Sequence, residues 1–179
     1  MKFLIVSDIH GDISSAERIK ELFNSLNPDK ILLLGDVLYH GPRNDLPKHY
    51  APKEVIAVMN SLKDNIVAVR GNCEAEVDQM VLSFPCMSTT AEVFADGYEF
   101  TLSHGHIYSE SNLPPGDGIF LYGHTHIPVA HKVEGRICFN PGSVTLPKGG
   151  FERSYGLYEN KTLKVLSLFD NKEMMSIAL

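Results

Sequence analysis

The sequence predicts an α/β fold in which two β-sheets stack face to face with helices outside, and two observations carry that prediction. In the first half, short continuous apolar runs alternate with helical patterns, which favours parallel strands covered by helices. In the second half, apolar runs come in pairs around tight-turn residues, which favours antiparallel hairpins. No linker-like composition, internal repeat or low-complexity segment divides the chain, so residues 1–179 are expected to form one domain.

Local pattern justifies each element. Lys2 to Val6 reads as a buried strand ending in Ser7-Asp8. Ile19, Leu22, Phe23 and Leu26 then recur at helical spacing. Ser14 with Glu17 fits a capping box at the start of that helix, and Asn27-Pro28 stops it. Ile31 to Leu34 is a second strand, ending in Gly35-Asp36. Pro52 suits a helix first turn, with Val55, Met59 and Leu62 as the apolar face. Ile66 to Val69 is a third strand, ending in Gly71-Asn72. Hairpins are expected around Asp96-Gly97, Glu134-Gly135 and Glu159-Asn160-Lys161, with Ile119 to Tyr122 a further strand.

Bulk properties exclude several classes. No apolar run approaches the roughly 18 residues of a membrane span. Phe3 to Val6 is too short for a signal-peptide core, so a cytoplasmic location is expected. The net charge of −6 argues against a broad nucleic-acid surface. It does not oppose a small phosphate substrate, because bound metal ions supply local positive charge. Three widely spaced cysteines, Cys73, Cys86 and Cys138, fit free thiols. Exposed hairpin edges would allow a homo-oligomer.

The informative residues lie at the ends of the apolar strands. The runs end in Asp8-Ile9-His10, Asp36, Asn72, His104-Gly105-His106 and His124-Thr125-His126. Ligands collect at the carboxyl ends of strands in open α/β sheets. Residues two apart in extended chain point the same way, so Asp8 with His10, and His124 with His126, are expected to converge. Carboxylate, imidazole and amide donors suit Mn²⁺, Zn²⁺, Fe or Ni²⁺. The donors are too many for one tetrahedral zinc. Two ions about 3.5–4 Å apart with a shared carboxylate would use them all. Among the eight histidines, His40, His49 and His131 are expected to be incidental.

These motifs, in this order, resemble the signature of the calcineurin-like metallophosphoesterases: Asp-x-His, Gly-Asp, Gly-Asn-x-Glu, His-Gly-His and Gly-His-x-His. The resemblance extends over nearly the whole chain. It implies a four-layer αββα sandwich, two divalent metal ions and hydrolysis of phosphodiesters. Mn²⁺ is the first expectation for the metals, with Ni²⁺, Co²⁺, Zn²⁺ and Fe as alternatives. By residue, it implies one ion at Asp8, His10 and His126 and another at Asn72, His104 and His124. Asp36 would bridge them, and a hydroxide between the ions would be the nucleophile on a small phosphodiester.

Position 73 departs from the wider family, where histidine often comes after Gly-Asn and helps protonate the leaving group. Here Cys73 is either a weak substitute in catalysis or a small filler. His106 is expected either to contact phosphate or to orient its neighbours. Arg43 is a candidate phosphate ligand through paired hydrogen bonds, or a solvated loop charge. Glu74 is read as a cap for a helix beginning near Ala75, with orientation of a histidine as the alternative. Two rival functions stand beside the diesterase: a phosphomonoesterase or nucleotidase, and a non-catalytic protein-binding scaffold of the same fold.

Overall fold

Alternation within the first strand sets the layers. In the computed structural model, which describes residues 1–179, β1 (Phe3–Val6) buries every residue. Leu4 and Val6 face one apolar cluster and Phe3 and Ile5 face another. A strand covered on both sides needs apolar residues at every position, which explains the unbroken run.

The element order is β1, α1 (Ile13–Leu26), β2 (Lys30–Leu33), α2 (Pro52–Asn60), a 3₁₀ turn (Lys63–Asn65), β3 (Ile66–Ala68) and α3 (Glu76–Val81). The strands β4 (Thr90–Ala95), β5 (Tyr98–Ser103), β6 (Ile119–Leu121), β7 (Val129–Val133) and β8 (Arg136–Asn140) come next. The chain closes with β9 (Ser154–Glu159), β10 (Thr162–Ser167) and β11 (Glu173–Ala178). One sheet has the order β11-β10-β9-β1-β2-β3, with β1, β2 and β3 parallel. The other has the order β4-β5-β6-β8-β7, with β5, β6 and β8 parallel. Each sheet therefore contains a parallel block whose carboxyl ends lie together. The antiparallel strands extend these blocks outward.

The helices α1 and α2 cover the first sheet, with Ile19, Leu22, Val55 and Met59 packed on Leu4, Val6, Ile31 and Leu33. Between the sheets, Phe3 meets Phe100 edge-on at 5.6 Å and stacks on Tyr158 at 5.5 Å. Truncating Phe3 to alanine would cost about 3–5 kcal/mol, as is usual for a large buried cavity. The outer face of the second sheet carries Phe120, Tyr122 and Cys138. Its cover is the non-helical segment 107–118, through Tyr108 and Leu113. Arg136 ties that segment down by donating to Gly118 O at 2.8 Å and Pro114 O at 2.7 Å. The fourth layer is thus irregular chain.

Two local expectations are corrected. The N-cap of α1 is Asp12, whose carboxylate accepts from the Ser15 amide at 3.0 Å, so Ser14 and Glu17 form no capping box. The carboxylate wins because it reaches the orphan amide from just outside the helix. The turn joining β9 and β10 is the two-residue Asn160-Lys161, both at positive φ, with Glu159 still in the strand. The final strand β11, which pairs with β10, carried no sequence expectation. No helix is long and apolar enough to cross a membrane.

Candidate metal centre

The carboxyl ends of the two parallel blocks converge, and the nominated residues meet there. Asp8 follows β1, Asp36 follows β2, Asn72 follows β3, His104 follows β5 and His124 follows β6. The convergence does not use extended chain. Asp8, His10, Asp36, His124 and His126 all have left-handed backbone, with φ of 61°, 49°, 56°, 64° and 59°. That region is uncommon for residues with a side chain, though Asp and His tolerate it best. Five such residues around one point mark stored backbone strain of the kind functional sites carry. The tight reversals also free room for ligands from five different segments to reach one centre.

Three imidazoles are oriented in the same way. Each Nδ1 faces a backbone carbonyl: His10 on Tyr39 at 2.8 Å, His104 on Leu34 at 2.6 Å and His126 on Leu146 at 2.5 Å. A carbonyl only accepts, so each Nδ1 carries the proton and each Nε2 of a neutral ring is a bare lone pair. Those lone pairs point at one another and at oxygen. His10 Nε2 lies 3.4 Å from His126 Nε2. Asp8 Oδ1 lies 3.3 Å from His126 Nε2 and 3.5 Å from His10 Nε2. It is buried and has no hydrogen-bond partner. On the other side, His104 Nε2 lies 3.2 Å from Asn72 Oδ1 and 3.4 Å from Asp36 Oδ2. Asp36 Oδ2 is also 3.8 Å from His10 Nε2, so this carboxylate stands between the two groups.

Facing lone pairs and buried carboxylates are unfavourable unless a cation stands among them. In the metal-free protein only protons are at hand. Burial opposes charge on His104, but Asp36 and Asp8 beside it outweigh burial and raise it to about 9. His10 is raised in the same sense, against burial, by Asp8. Burial also opposes ionisation of Asp8, yet His10 and His126 hold its carboxyl well below the ordinary range. His124 and His106 are lowered by burial and by the charge on His104. The donor set therefore fits divalent metal. Asp8, His10 and His126 form one group able to hold an ion, and Asp8, Asp36 and His104 form another.

His124 completes the cluster, its ring 5.1 Å from that of His104. His106 stands 5.4 Å from His104 and 6.1 Å from His124, beside the cluster. A cleft of about 850 Å³ opens over the centre, lined among others by Arg43, Asn72, Cys73, His124 and Lys148. Cys73 accepts from Asn72 Nδ2 at 3.2 Å, and its amide donates to Asp36 Oδ1 at 2.9 Å. In the metal-free protein, burial, followed by the charges of Asp36 and Glu74, pushes its thiol far up. His40, His49 and His131 belong to none of the metal-capable groups, and His131 pairs with Glu110 at 2.9 Å instead.

Glu74 does neither of the things expected of it. Its buried carboxylate accepts the amides of Asp36 at 3.0 Å, Val37 at 2.6 Å and Gly71 at 2.5 Å. Asp78 caps α3 instead, accepting from the Ala75 amide at 2.8 Å. Glu74 reaches inward because the loops after β2 and β3 present three orphan amides there. A second unforeseen support is Asn140 with Ser143. Asn140 Nδ2 donates to Gly123 O at 2.8 Å, and Ser143 Oγ donates to Asp8 O at 3.0 Å. Asn140 is the last residue of β8, and Ser143 lies just beyond it. Lys148 in the cleft wall gave no signal within its Pro-Lys-Gly-Gly turn.

The chain is similar to known proteins in sequence and in fold. Residues 1–163 match the calcineurin-like phosphoesterase superfamily domain. The whole chain is 43% identical to phosphodiesterase YfcE of Escherichia coli K12, over 98% of that protein. The solved structure of YfcE, a phosphoesterase from E. coli, superposes with a TM-score of 0.96 over 99% of both chains. Phosphodiesterase MJ0936 of Methanocaldococcus jannaschii is 26% identical over 79% of this chain and 83% of its own. Vps29 of Entamoeba histolytica, solved with zinc, shares the fold alone, at 20% identity and a TM-score of 0.62 over 99% of each chain. By sequence match, identity and fold together, this chain belongs to the calcineurin-like phosphoesterase superfamily.

Proposed function

We propose that the chain is a metal-dependent phosphodiesterase with a dinuclear centre. The observation that carries this is the set of bare Nε2 atoms and the unpartnered Asp8 Oδ1 facing one another in a buried site. Asp8, His10 and His126 would hold one ion, Asn72, His104 and His124 the other, and Asp36 would serve both. Mn²⁺ is the first choice of metal, and Ni²⁺, Co²⁺, Zn²⁺ and Fe suit the same donors. When bound, a pair of such ions supplies a hydroxide nucleophile at neutral pH and charge for the phosphoryl oxygens.

The chain's own contribution is positioning. The three carbonyl-anchored histidines present fixed lone pairs, which removes the reorganisation a flexible donor would need. Arg43 lines the cleft and offers paired hydrogen bonds to a non-reacting phosphate oxygen. His106 stands close enough to act on substrate or on the donors beside it. Cys73 occupies the position where the wider family often has histidine, and a thiol is a poor stand-in for imidazole as a proton donor at neutral pH. Diesters with acidic leaving groups need no such donor, which favours them over alkyl esters. The names of YfcE and MJ0936 as phosphodiesterases support the same class.

The test is hydrolysis of bis-p-nitrophenyl phosphate with Mn²⁺, Ni²⁺ or Co²⁺, beside p-nitrophenyl phosphate at matched metal. The proposal expects metal-dependent turnover with the diester ahead. Faster monoester turnover would favour a nucleotidase, and no turnover with any metal would favour a scaffold. We place the enzyme in the cytoplasm on sequence grounds.

A further inference from the structure

The cleft is lined by two cationic side chains, Arg43 and Lys148, and they border different halves of the centre. Arg43 lies in the turn that leans on the Asn72–Cys73 wall, where a Cβ on Gly41 would sit 3.3 Å from Cys73 Sγ. Lys148 lies in the turn fastened to His126. Leu146 O accepts from His126 Nδ1 at 2.5 Å, and the Lys148 amide donates to His126 O at 3.1 Å. The Phe151 amide then donates to Lys148 O at 3.2 Å. The base of the side chain is thus fixed against a proposed metal donor, while the side chain is exposed.

Neither cation is committed. The ion pairs of other basic side chains lie elsewhere, as in Lys2–Glu159, Arg18–Glu21, Arg153–Asp12 and Lys164–Glu173. The carboxylates lining the cleft are also occupied. Glu74 takes three backbone amides, and Asp36 faces His104 and the Cys73 amide. Charge then has to be matched by substrate. Two divalent ions against Asp8, Asp36, Glu74, a hydroxide and a singly charged diester leave one negative charge, which Arg43 can meet. Lys148 is surplus to that balance, and an uncommitted cation on a cleft wall attracts further negative charge.

We propose that Lys148 forms a subsite for a second anionic group, a phosphate or a carboxylate, carried on one arm of the phosphodiester. This rests on the diesterase reading above. A lysine acts there as a point charge on a flexible stem, which suits a group at variable reach and gives no bidentate geometry. Arg43 serves the scissile phosphate on the Asn72 side, and Lys148 serves the retained arm, which extends past His126.

The kinetic test uses three p-nitrophenyl diesters with Mn²⁺, whose other arm is ethyl, 3-carboxypropyl or 3-phosphopropyl. The expected result is a kcat/KM advantage of about fivefold for an anionic arm, the scale of one exposed charge pair. Lys148→Met brings that ratio close to one, and Lys148→Arg keeps most of it. The carboxyl and phosphoryl arms report which anion is preferred. A binding test needs no turnover. Propylphosphonate and propane-1,3-diphosphonate are titrated calorimetrically into the Mn²⁺-loaded protein, and the diphosphonate is expected to lose its advantage in Lys148→Met. No preference for the second anion, or a preference that survives Lys148→Met, overturns the subsite. Failure of the diesterase reading looks different: none of the three esters is hydrolysed, while the calorimetric difference remains.

Discussion

Glu74 holds Asp36 by its main chain: Oε2 accepts the Asp36 amide at 3.0 Å and, at the same time, the Gly71 amide at 2.5 Å. One buried carboxylate therefore ties the segment after β2 to the segment after β3. It fixes Asp36 and Asn72 relative to each other without touching either side chain. Burial raises the Glu74 carboxyl, with Asp36 adding to the effect, and the three amides oppose that rise.

Glu74→Ala is expected to lower stability by about 2–4 kcal/mol, since three buried amides lose their acceptor. Metal affinity is expected to drop about 10- to 100-fold, as for other groups that orient ligands. Glu74→Gln keeps one acceptor oxygen and should fall between. Denaturant melts with and without Mn²⁺ check both numbers. Wild-type metal affinity in a folded Glu74→Ala protein would reduce Glu74 to a purely structural group.

Gly71 leaves no room for a side chain. A Cβ there would overlap the Asp36 carboxylate and stand 2.6 Å from the Asp36 amide nitrogen. Gly71→Ala should displace Asp36 by a sizeable fraction of an ångström and lower kcat/KM about 100-fold, the cost of a small misplacement in a site built on orientation. Circular dichroism alongside steady-state kinetics separates this local effect from unfolding.

A thiol is a poor stand-in for imidazole as a proton donor at neutral pH, so Cys73 is expected to give the leaving group little assistance. Rates across a series of aryl diesters are expected to fall steeply as the leaving-group pKa rises. Cys73→His should flatten that slope by restoring an imidazole with a pKa near 6.5. A wild-type rate insensitive to the leaving group would show that another residue, with His106 the nearest candidate, delivers the proton.

Metal removal should make stability depend on pH in a defined window. His10 and His104 are raised in the metal-free protein, His104 from 6.5 to about 9. A raised group adds stability that is complete below the unfolded value and lost as pH climbs through the folded one. The lowered His106 and His124 act in the opposite sense, and only below 6.5. The melting temperature in chelator should therefore fall between pH 6.5 and about 9. Mn²⁺ should remove most of that slope and release protons on binding near pH 7.5, visible as a buffer-dependent calorimetric heat. A metal-free melting temperature that rises across the window would contradict the proton's role as stand-in.

The backbone plan was legible because burial on both faces leaves an unbroken apolar signal, as in Phe3-Leu4-Ile5-Val6. Strand ends were legible because glycine and polar residues come after them abruptly. The final strand β11 was not, since Glu173–Ala178 lies at a sheet edge and its burial never alternates cleanly. The donors were legible as residue types, but their convergence was expected from extended geometry and is achieved by left-handed turns at Asp8, His10, Asp36, His124 and His126. Backbone dihedrals of that kind leave no trace in side-chain pattern. Glu74, Asn140 and Ser143 were missed as supports because each acts on main-chain groups, which every sequence possesses.

The central claim is that Asp36 stands between two metal ions. The direct measurement is an anomalous difference map from crystals of the Mn²⁺-loaded protein, collected at the manganese edge. Two peaks about 3.5–4 Å apart are expected. One would sit among Asp8, His10 and His126, the other among Asn72, His104 and His124, each within bonding distance of an Asp36 oxygen. A single peak, or two peaks that leave Asp36 uncoordinated, would contradict the claim.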